Sequence, residues 1–87
     1  MEKLWTDKAW ESYLYWQVQD KKTLKRINQL IQDIERNGHD GIGKPEQLKG
    51  DLSGWWSRRI GDANRLVYQI KDSKLIIADC RTHYGDK

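Results

Sequence analysis

Residues 20–38 read DKKTLKRINQLIQDIERNG and carry the clearest periodic pattern in the chain. The apolar residues recur at intervals of three and four, as on one face of a helix: Leu24, Ile27, Leu30, Ile31 and Ile34. Asp20 is a candidate N-cap, and Asn37 followed by Gly38 tolerates the left-handed backbone that ends many helices. The pattern predicts an amphipathic helix of about three to four turns whose apolar face needs a partner.

The residues before this helix predict a second helix. Thr6 is a candidate N-cap, and Asp7 would lie in the first turn, near the positive end of the helix dipole. Large side chains then share one helix face or lie beside it: Trp10, Tyr13, Leu14, Trp16 and Gln17. Residues 3–5 read as a short opening strand. The first half of the chain is therefore predicted to form a helical hairpin.

The second half of the chain has a different period. Glycines and the only proline, Pro45, make residues 38–54 a loop, with one helical turn expected over residues 46–49. Residues 55–60, 65–70 and 75–78 then show alternating or apolar patterns, separated by turn-forming residues. The predicted fold class is α+β, with the N-terminal helical hairpin packed on a small antiparallel β-sheet of about three or four strands.

Length and composition limit the class of protein. The chain has 87 residues, of which 37% are hydrophobic and 33% charged, so residues 1–87 are expected to form a single domain. Five Trp and four Tyr argue against a disordered chain. No apolar run approaches the roughly 20 residues that a membrane helix needs, and the first residues lack the apolar core of a signal peptide. With Cys80 as its single cysteine, we expect a cytoplasmic protein without a membrane partner.

The net charge of +3 is unevenly distributed. Most of the basic excess falls within residues 44–65, which contain five basic side chains: Lys44, Lys49, Arg58, Arg59 and Arg65. A patch of this kind indicates a partner with negative charge, such as nucleic acid. Two or three net charges are too few to bind RNA tightly without other contacts.

Familiar catalytic motifs are absent from the sequence. It has no P-loop, no dinucleotide-binding glycine pattern, no zinc-protease motif and no nucleophile elbow, so we expect no metal or cofactor. It does contain side chains that suit metal-free RNA cleavage: Glu46, Lys49, Arg59, Arg65 and His83. When a 2′-hydroxyl attacks the adjacent phosphate, the reaction needs a base, an acid and cations around the phosphate.

Each of these side chains also has a simpler interpretation. Glu46 can be a solvated loop carboxylate, and the arginines at positions 58, 59 and 65 can be solvent-facing strand residues or charges that protect a sheet edge. His83 and Tyr84 can belong to a loose C-terminal tail. His39 has no expected role, and Cys80 is expected to be a small buried residue.

Longer motifs favour the catalytic interpretation. They are Trp10-x-x-Tyr13-Leu14-x-Trp16, Gly43-Lys44-Pro45-Glu46-x-Leu48-Lys49, Leu52-Ser53-Gly54-x-Trp56-Ser57-Arg58-Arg59-Ile60, Arg65-Leu66-Val67-Tyr68 and Cys80-Arg81-x-His83-Tyr84. With these motifs, the chain resembles the Txe/YoeB toxins of bacterial type II toxin–antitoxin modules, in the RelE superfamily. The resemblance extends from about residue 2 to residue 84.

The resemblance implies a RelE-like fold and a ribosome-dependent mRNA endoribonuclease, which cuts mRNA in the A site and inhibits translation. It implies that Glu46 is the general base and His83 the general acid. Arg65 would stabilise charge on the phosphate, Tyr84 would order the site, and Lys49 and Arg59 would hold phosphate or ribosomal RNA. Because an imidazole can act as acid or base near neutral pH, the roles of Glu46 and His83 remain open to exchange.

The resemblance also implies partners. They are an antitoxin of the YefM/Axe type and the ribosome with its mRNA, and a homodimer is compatible with the aromatic first helix. Two other functions remain open: a non-catalytic RNA- or ribosome-binding module, and a ParE-like toxin directed at gyrase. A toxin that acts on a protein would have no use for a base and acid pair such as Glu46 and His83.

Overall fold

The computed structural model describes residues 1–82. Within that range the chain forms two α-helices, one turn of 3₁₀ helix and five strands. The helices are α1 (Asp7–Gln19) and α2 (Lys21–Asn37), and the 3₁₀ turn spans Gly50–Leu52. The strands are β1 (Glu2–Trp5), β2 (Glu46–Gln47), β3 (Trp56–Arg59), β4 (Arg65–Lys71) and β5 (Lys74–Thr82).

Local sequence signals set the ends of both helices. The Thr6 hydroxyl caps α1 by accepting a hydrogen bond from the Ala9 N–H at 3.1 Å. The Asp20 carboxylate caps α2 by accepting one from the Thr23 N–H at 3.3 Å. Gly38, with φ at 65°, follows the last residue of α2. The predicted caps and the predicted helical hairpin are confirmed.

The helical hairpin covers one face of the sheet. The buried core residues come from both helices and from the strands: Ala9, Ile27, Leu30, Ile31, Ile34, Ile60, Leu66, Tyr68, Leu75, Ile77 and Cys80. Tyr13 and Trp16 pack against this core from α1, whereas Trp10 remains 47% exposed. The apolar face of α2 is thus buried on the sheet, as its periodicity predicted.

The sheet is mixed, with strand order β1-β5-β4-β3-β2. The predicted α+β fold class is confirmed, but the sheet has five strands and is not wholly antiparallel, because β1 pairs with β5 in parallel. The outer edge of β5 offers unpaired N–H and C=O groups, which β1 satisfies. Residues 6–73, which include the helical hairpin and strands β2 to β4, connect β1 to β5 and give the long connection that a parallel pair requires.

Two local predictions differ from the structure. Residues 46–47 form strand β2 against β3, and the single helical turn lies later, at Gly50–Leu52, instead of over residues 46–49. Strand β5 also extends beyond the predicted residues 75–78 to Thr82, where it pairs with Arg65 of β4, and its polar residues contact α1. Asp79, for example, accepts a hydrogen bond from the Ser12 hydroxyl at 3.0 Å. No helix among residues 1–82 is long and apolar enough to cross a membrane.

Candidate functional site

The candidate site lies on the sheet face that is turned away from the helices. Side chains alternate between the two faces of a strand, and Leu66 and Tyr68 of β4 point into the core. Arg65 and Val67 therefore point the opposite way. The strand register pairs Arg59 with Arg65, Ser57 with Val67 and Glu46 with Ser57. We call this surface the far face, and its residues are Glu46, Ser57, Arg59, Arg65 and Val67.

Arg65 is the fixed cation of the far face. Its side chain is only 3% exposed. Its Nε donates to the Ser57 hydroxyl at 2.8 Å, and its Nη2 donates to the Lys44 carbonyl at 3.3 Å. A buried charge is tolerated only with such partners, so the guanidinium is held in one orientation. The interpretation of Arg65 as a solvent-facing strand residue is wrong.

Glu46 lies next to this cation. Its Oε2 is 3.5 Å from Nη2 of Arg65, and its side chain remains 42% exposed. The carboxylate therefore has a guanidinium on one side and solvent on the other. A ligand that arrives from solvent can reach both groups, with a proton acceptor and a positive charge next to each other.

Arg59 and Lys49 are the exposed cations among the predicted site residues. Arg59 lies directly across from Arg65 on the far face, and its own N–H donates to the Gly43 carbonyl at 2.6 Å. Lys49 is the N-cap residue of the 3₁₀ turn, on the exposed segment that follows β2. Both side chains are accessible to an anionic ligand.

The alternative interpretation of Arg58 as a solvent-facing strand residue is also wrong. It pairs with Leu66 on the helix side of the sheet and is fully buried. Its Nη1 lies 2.5 Å from Oδ2 of Asp33, and its Nε donates to the Tyr68 hydroxyl at 3.2 Å. Hydrogen bonding from Arg58 lowers the pKa of the Asp33 carboxyl, and burial raises the pKa of the Tyr68 hydroxyl.

Sequence reasoning missed a role for His39. Its ring stacks on Trp56, with centroids 4.1 Å apart and planes 10° from parallel. Burial, followed by the nearby Arg58 charge, lowers the pKa of His39. The residues next to His39, Gly38 and Asp40, give no local signal of this stack, because Trp56 lies on a strand far along the chain.

His83 and Tyr84 lie outside the described residues. Strand β5 ends at Thr82, which pairs with Arg65, so β5 brings the chain to the edge of the far face. The structure thus brings together two of the predicted catalytic residues, Glu46 and Arg65. Among residues 1–82, no three His, Cys, Asp or Glu side chains are grouped so that they could hold a metal ion.

Solved structures of low sequence identity share this fold. YafQ from Escherichia coli BL21(DE3) has a TM-score of 0.77 at 14% identity, and the alignment covers 93% of this chain and 91% of YafQ. At that identity the match shows a shared RelE-like fold alone.

The family follows from closer relatives. A family model for the YoeB-like toxin of bacterial type II toxin–antitoxin system matches residues 5–84. Toxin YoeB of Escherichia coli K12 is 52% identical over 84 residues, which cover 97% of this chain and 100% of that toxin. The chain therefore belongs to the YoeB-like toxins of bacterial type II toxin–antitoxin systems, as its motifs indicated.

Solved structures of similar chains agree with this family assignment. A YoeB/ParE toxin from Agrobacterium tumefaciens has a TM-score of 0.93 at 43% identity, covering 97% of this chain and 100% of that one. A heterotetrameric YoeB–YefM toxin–antitoxin complex from Staphylococcus aureus has a TM-score of 0.90 at 47% identity, and the coverage is 97% and 98%. A YoeB dimer from the same organism has a TM-score of 0.91 with the same identity and coverage.

Proposed function

We propose that this toxin is a ribosome-dependent endoribonuclease that cuts mRNA in the A site and thereby inhibits translation. The observation that carries the proposal is the position of Glu46, a solvent-accessible carboxylate 3.5 Å from the buried guanidinium of Arg65. Cleavage by an internal 2′-hydroxyl needs a proton acceptor next to a positive charge, and this pair provides both without a metal ion.

The reaction uses the RNA as its own nucleophile. The carboxylate of Glu46 accepts the 2′-hydroxyl proton while the 2′-oxygen forms a bond to phosphorus. Arg65 balances the additional negative charge on the phosphate oxygens. The bond to the 5′-oxygen breaks, and His83 donates the proton that this oxygen needs. The products are a 2′,3′-cyclic phosphate and a 5′-hydroxyl.

Two further roles belong to the same proposal. Tyr84 orders the substrate or the end of the chain, and Lys49 with Arg59 holds phosphate groups of mRNA or ribosomal RNA. The exposure of Lys49 and Arg59 supports this role. A net charge of +3 gives weak RNA binding, so the ribosome must position the substrate. The proposed site of action is accordingly the cytoplasm.

The proposed protein partner is an antitoxin of the YefM type, in line with the Staphylococcus aureus complex, and a homodimer is proposed from the related YoeB dimer. A segment that neutralises residues 44–65 needs negative charge. We expect the antitoxin to protect the amides of residues 44–65 and 81–84 from hydrogen exchange. Protection confined to α1 and α2 would contradict this binding mode.

A reconstituted translation reaction tests the activity. Toxin is added to ribosomes stalled on a defined mRNA, and primer extension maps the new 5′-ends, with a reaction without ribosomes as control. We expect one cut at the A-site codon that requires ribosomes. Glu46→Ala should slow cleavage by about 10²- to 10⁴-fold, the range typical of a lost general base.

Glu11→Ala is the matched control, because Glu11 is an exposed carboxylate of α1, away from β2. It should cleave at the native rate. Arrest of translation with intact mRNA would support the non-catalytic binding module instead. Normal translation together with inhibition of purified gyrase would support a ParE-like toxin.

A further inference from the structure

The loop of residues 38–45 leads from α2 directly to Glu46. Three consecutive carbonyls of this loop are bound by three arginines of the sheet. The Ile42 carbonyl accepts from Nη1 of Arg58 at 3.0 Å. The next two carbonyls, of residues 43 and 44, accept from the N–H of Arg59 at 2.6 Å and from Nη2 of Arg65 at 3.3 Å.

Arg58 joins both ends of this loop to α2. Its Nη2 donates to the Gly38 carbonyl at 2.6 Å, at the start of the loop, while its Nη1 binds Asp33 and the Ile42 carbonyl. The same Oδ2 of Asp33 also accepts the Ile42 N–H at 3.1 Å. We call Asp33, Gly38, Ile42 and Arg58 the Arg58 network. A fully buried guanidinium must keep its acceptors, so the network has one arrangement.

The Arg58 side chain lies on the opposite face of the sheet from Glu46. It projects toward the helices, whereas its neighbours Ser57 and Arg59 project onto the far face. A substrate on the far face therefore cannot touch it. Any effect of Arg58 on the reaction must pass through the backbone of the loop.

We propose that Arg58, together with Asp33, is a positioning residue that holds the loop so that Glu46 stays beside Arg65. This inference rests on the proposed function, in which Glu46 accepts the 2′-hydroxyl proton. A displacement of about 1 Å at a catalytic group can lower the rate by about 10²-fold. A shift of the loop would move Glu46, because Lys44, whose carbonyl binds Arg65, is only two residues from Glu46.

The test uses two conservative variants of the full chain, Arg58→Lys and Asp33→Asn. Lysine keeps the positive charge but cannot donate to three acceptors in a planar fork. Asparagine removes the negative charge and replaces one of the two acceptor oxygens of Asp33 with an N–H donor. Single-turnover cleavage on stalled ribosomes gives the maximal rate and the half-saturating toxin concentration. We expect each variant to lower the maximal rate by about 10- to 100-fold and to leave the half-saturating concentration unchanged.

A cycle with Glu46→Ala distinguishes positioning from general loss of structure. If Arg58 acts through Glu46, then Arg58→Lys should cause no further loss of rate in the Glu46→Ala background. Hydrogen exchange supplies a second readout. The Ile42 amide donates to Asp33, and the Arg59 amide donates to the loop carbonyl of Gly43. They should exchange faster in Arg58→Lys than in the native chain.

Two controls accompany these variants. Arg36→Lys makes the same change at an exposed arginine in the last turn of α2 and should cleave at the native rate. Ile31→Val mildly destabilises the core without touching the network and should also cleave at the native rate. If Arg58→Lys does not fold, Asp33→Asn provides the same test.

Each outcome has a defined meaning. A native cleavage rate in both variants would overturn the inference, as would an equal loss of rate with and without Glu46. Full activity of Glu46→Ala itself would reject the proposed function and the inference with it. If Glu46→Ala loses activity as expected but the losses from Arg58→Lys and Glu46→Ala are additive, the inference is rejected and the proposed function stands.

Discussion

Gly43→Ala measures how tightly the loop before Glu46 is packed between α2 and β3. Gly43 has φ at 80°, a conformation that costs an L-residue about 1–2 kcal/mol. An added Cβ would lie 2.8 Å from Cδ2 of Leu30 and 3.2 Å from both Cβ of Arg58 and the Arg59 carbonyl oxygen. Leu30 is fully buried, so its methyl group can move only by displacing other core side chains.

The cost of the backbone conformation and the cost of the steric clash add to a large fraction of the total stability. Forcing an extra methyl group into a packed site costs about 1–3 kcal/mol, so the expected loss for Gly43→Ala is about 3 kcal/mol. A chain of this length is stable by only about 4–13 kcal/mol. At about 4–8 °C per kcal/mol, Tm should fall by about 12–24 °C.

Two other glycine-to-alanine variants separate the cost of the backbone conformation from the cost of the steric clash. Gly50 has φ at 65° but no heavy atom within 4 Å of an added Cβ, so Gly50→Ala should lose only about 1–2 kcal/mol from the backbone. Gly61 has neither constraint, and Gly61→Ala should stay within about 0.5 kcal/mol of the native chain. Urea unfolding followed by far-UV circular dichroism gives all three values. A Gly43→Ala variant no less stable than Gly50→Ala would refute the proposed packing of the loop.

Three further changes probe other parts of the molecule. Burial and the nearby Arg58 charge lower the pKa of His39 below its usual 6.5, so the unfolded chain binds the proton first as the pH falls. The stability of the native chain should therefore decrease below pH 6.5 and level off once the native imidazole is protonated. The His39→Phe variant should lose less stability than the native chain between about pH 7.5 and about pH 5.5. Equal losses in urea titrations of the two proteins would contradict this. Thr6→Ala removes the cap of α1 and a hydrogen bond to the Ala78 carbonyl, so it should lose about 1 kcal/mol in urea unfolding, and an unchanged midpoint would count against the cap. Burial, with the Asp79 charge, raises the pKa of the Cys80 thiol to about 12, so a thiol reagent should label it only after denaturant is added; rapid labelling of the native chain would show that the thiol is accessible.

Local patterns in the sequence determined the helices and most of the strands. The apolar positions of α2, the caps Thr6 and Asp20 and the glycine at position 38 act within a few residues of themselves. A property that depends on near neighbours can be read from the order of residues. The family motifs, which are also contiguous, led to the toxin family by the same means.

The candidate site depended on contacts between distant residues. Glu46 and Arg65 were predicted as site residues by their types and by resemblance, but their separation of 3.5 Å follows from the pairing of β2 with β3 and of β3 with β4. The sequence could not show that Arg58 faces the helices while Arg59 faces solvent. Adjacent residues on a strand point in opposite directions, and only the packed helices decide which direction is buried.

The sequence by itself thus determined the helical hairpin, most of the strand segments, the chemical types available to the site and the toxin family. Only the tertiary structure decided that β1 pairs in parallel with β5, that Arg58 and Arg65 are buried, and that the loop before Glu46 is bound to three arginines. The physical reason is that burial, strand partners and charge pairs are set by elements far apart along the chain, whose hydrogen-bonding groups must all be satisfied together once water is excluded.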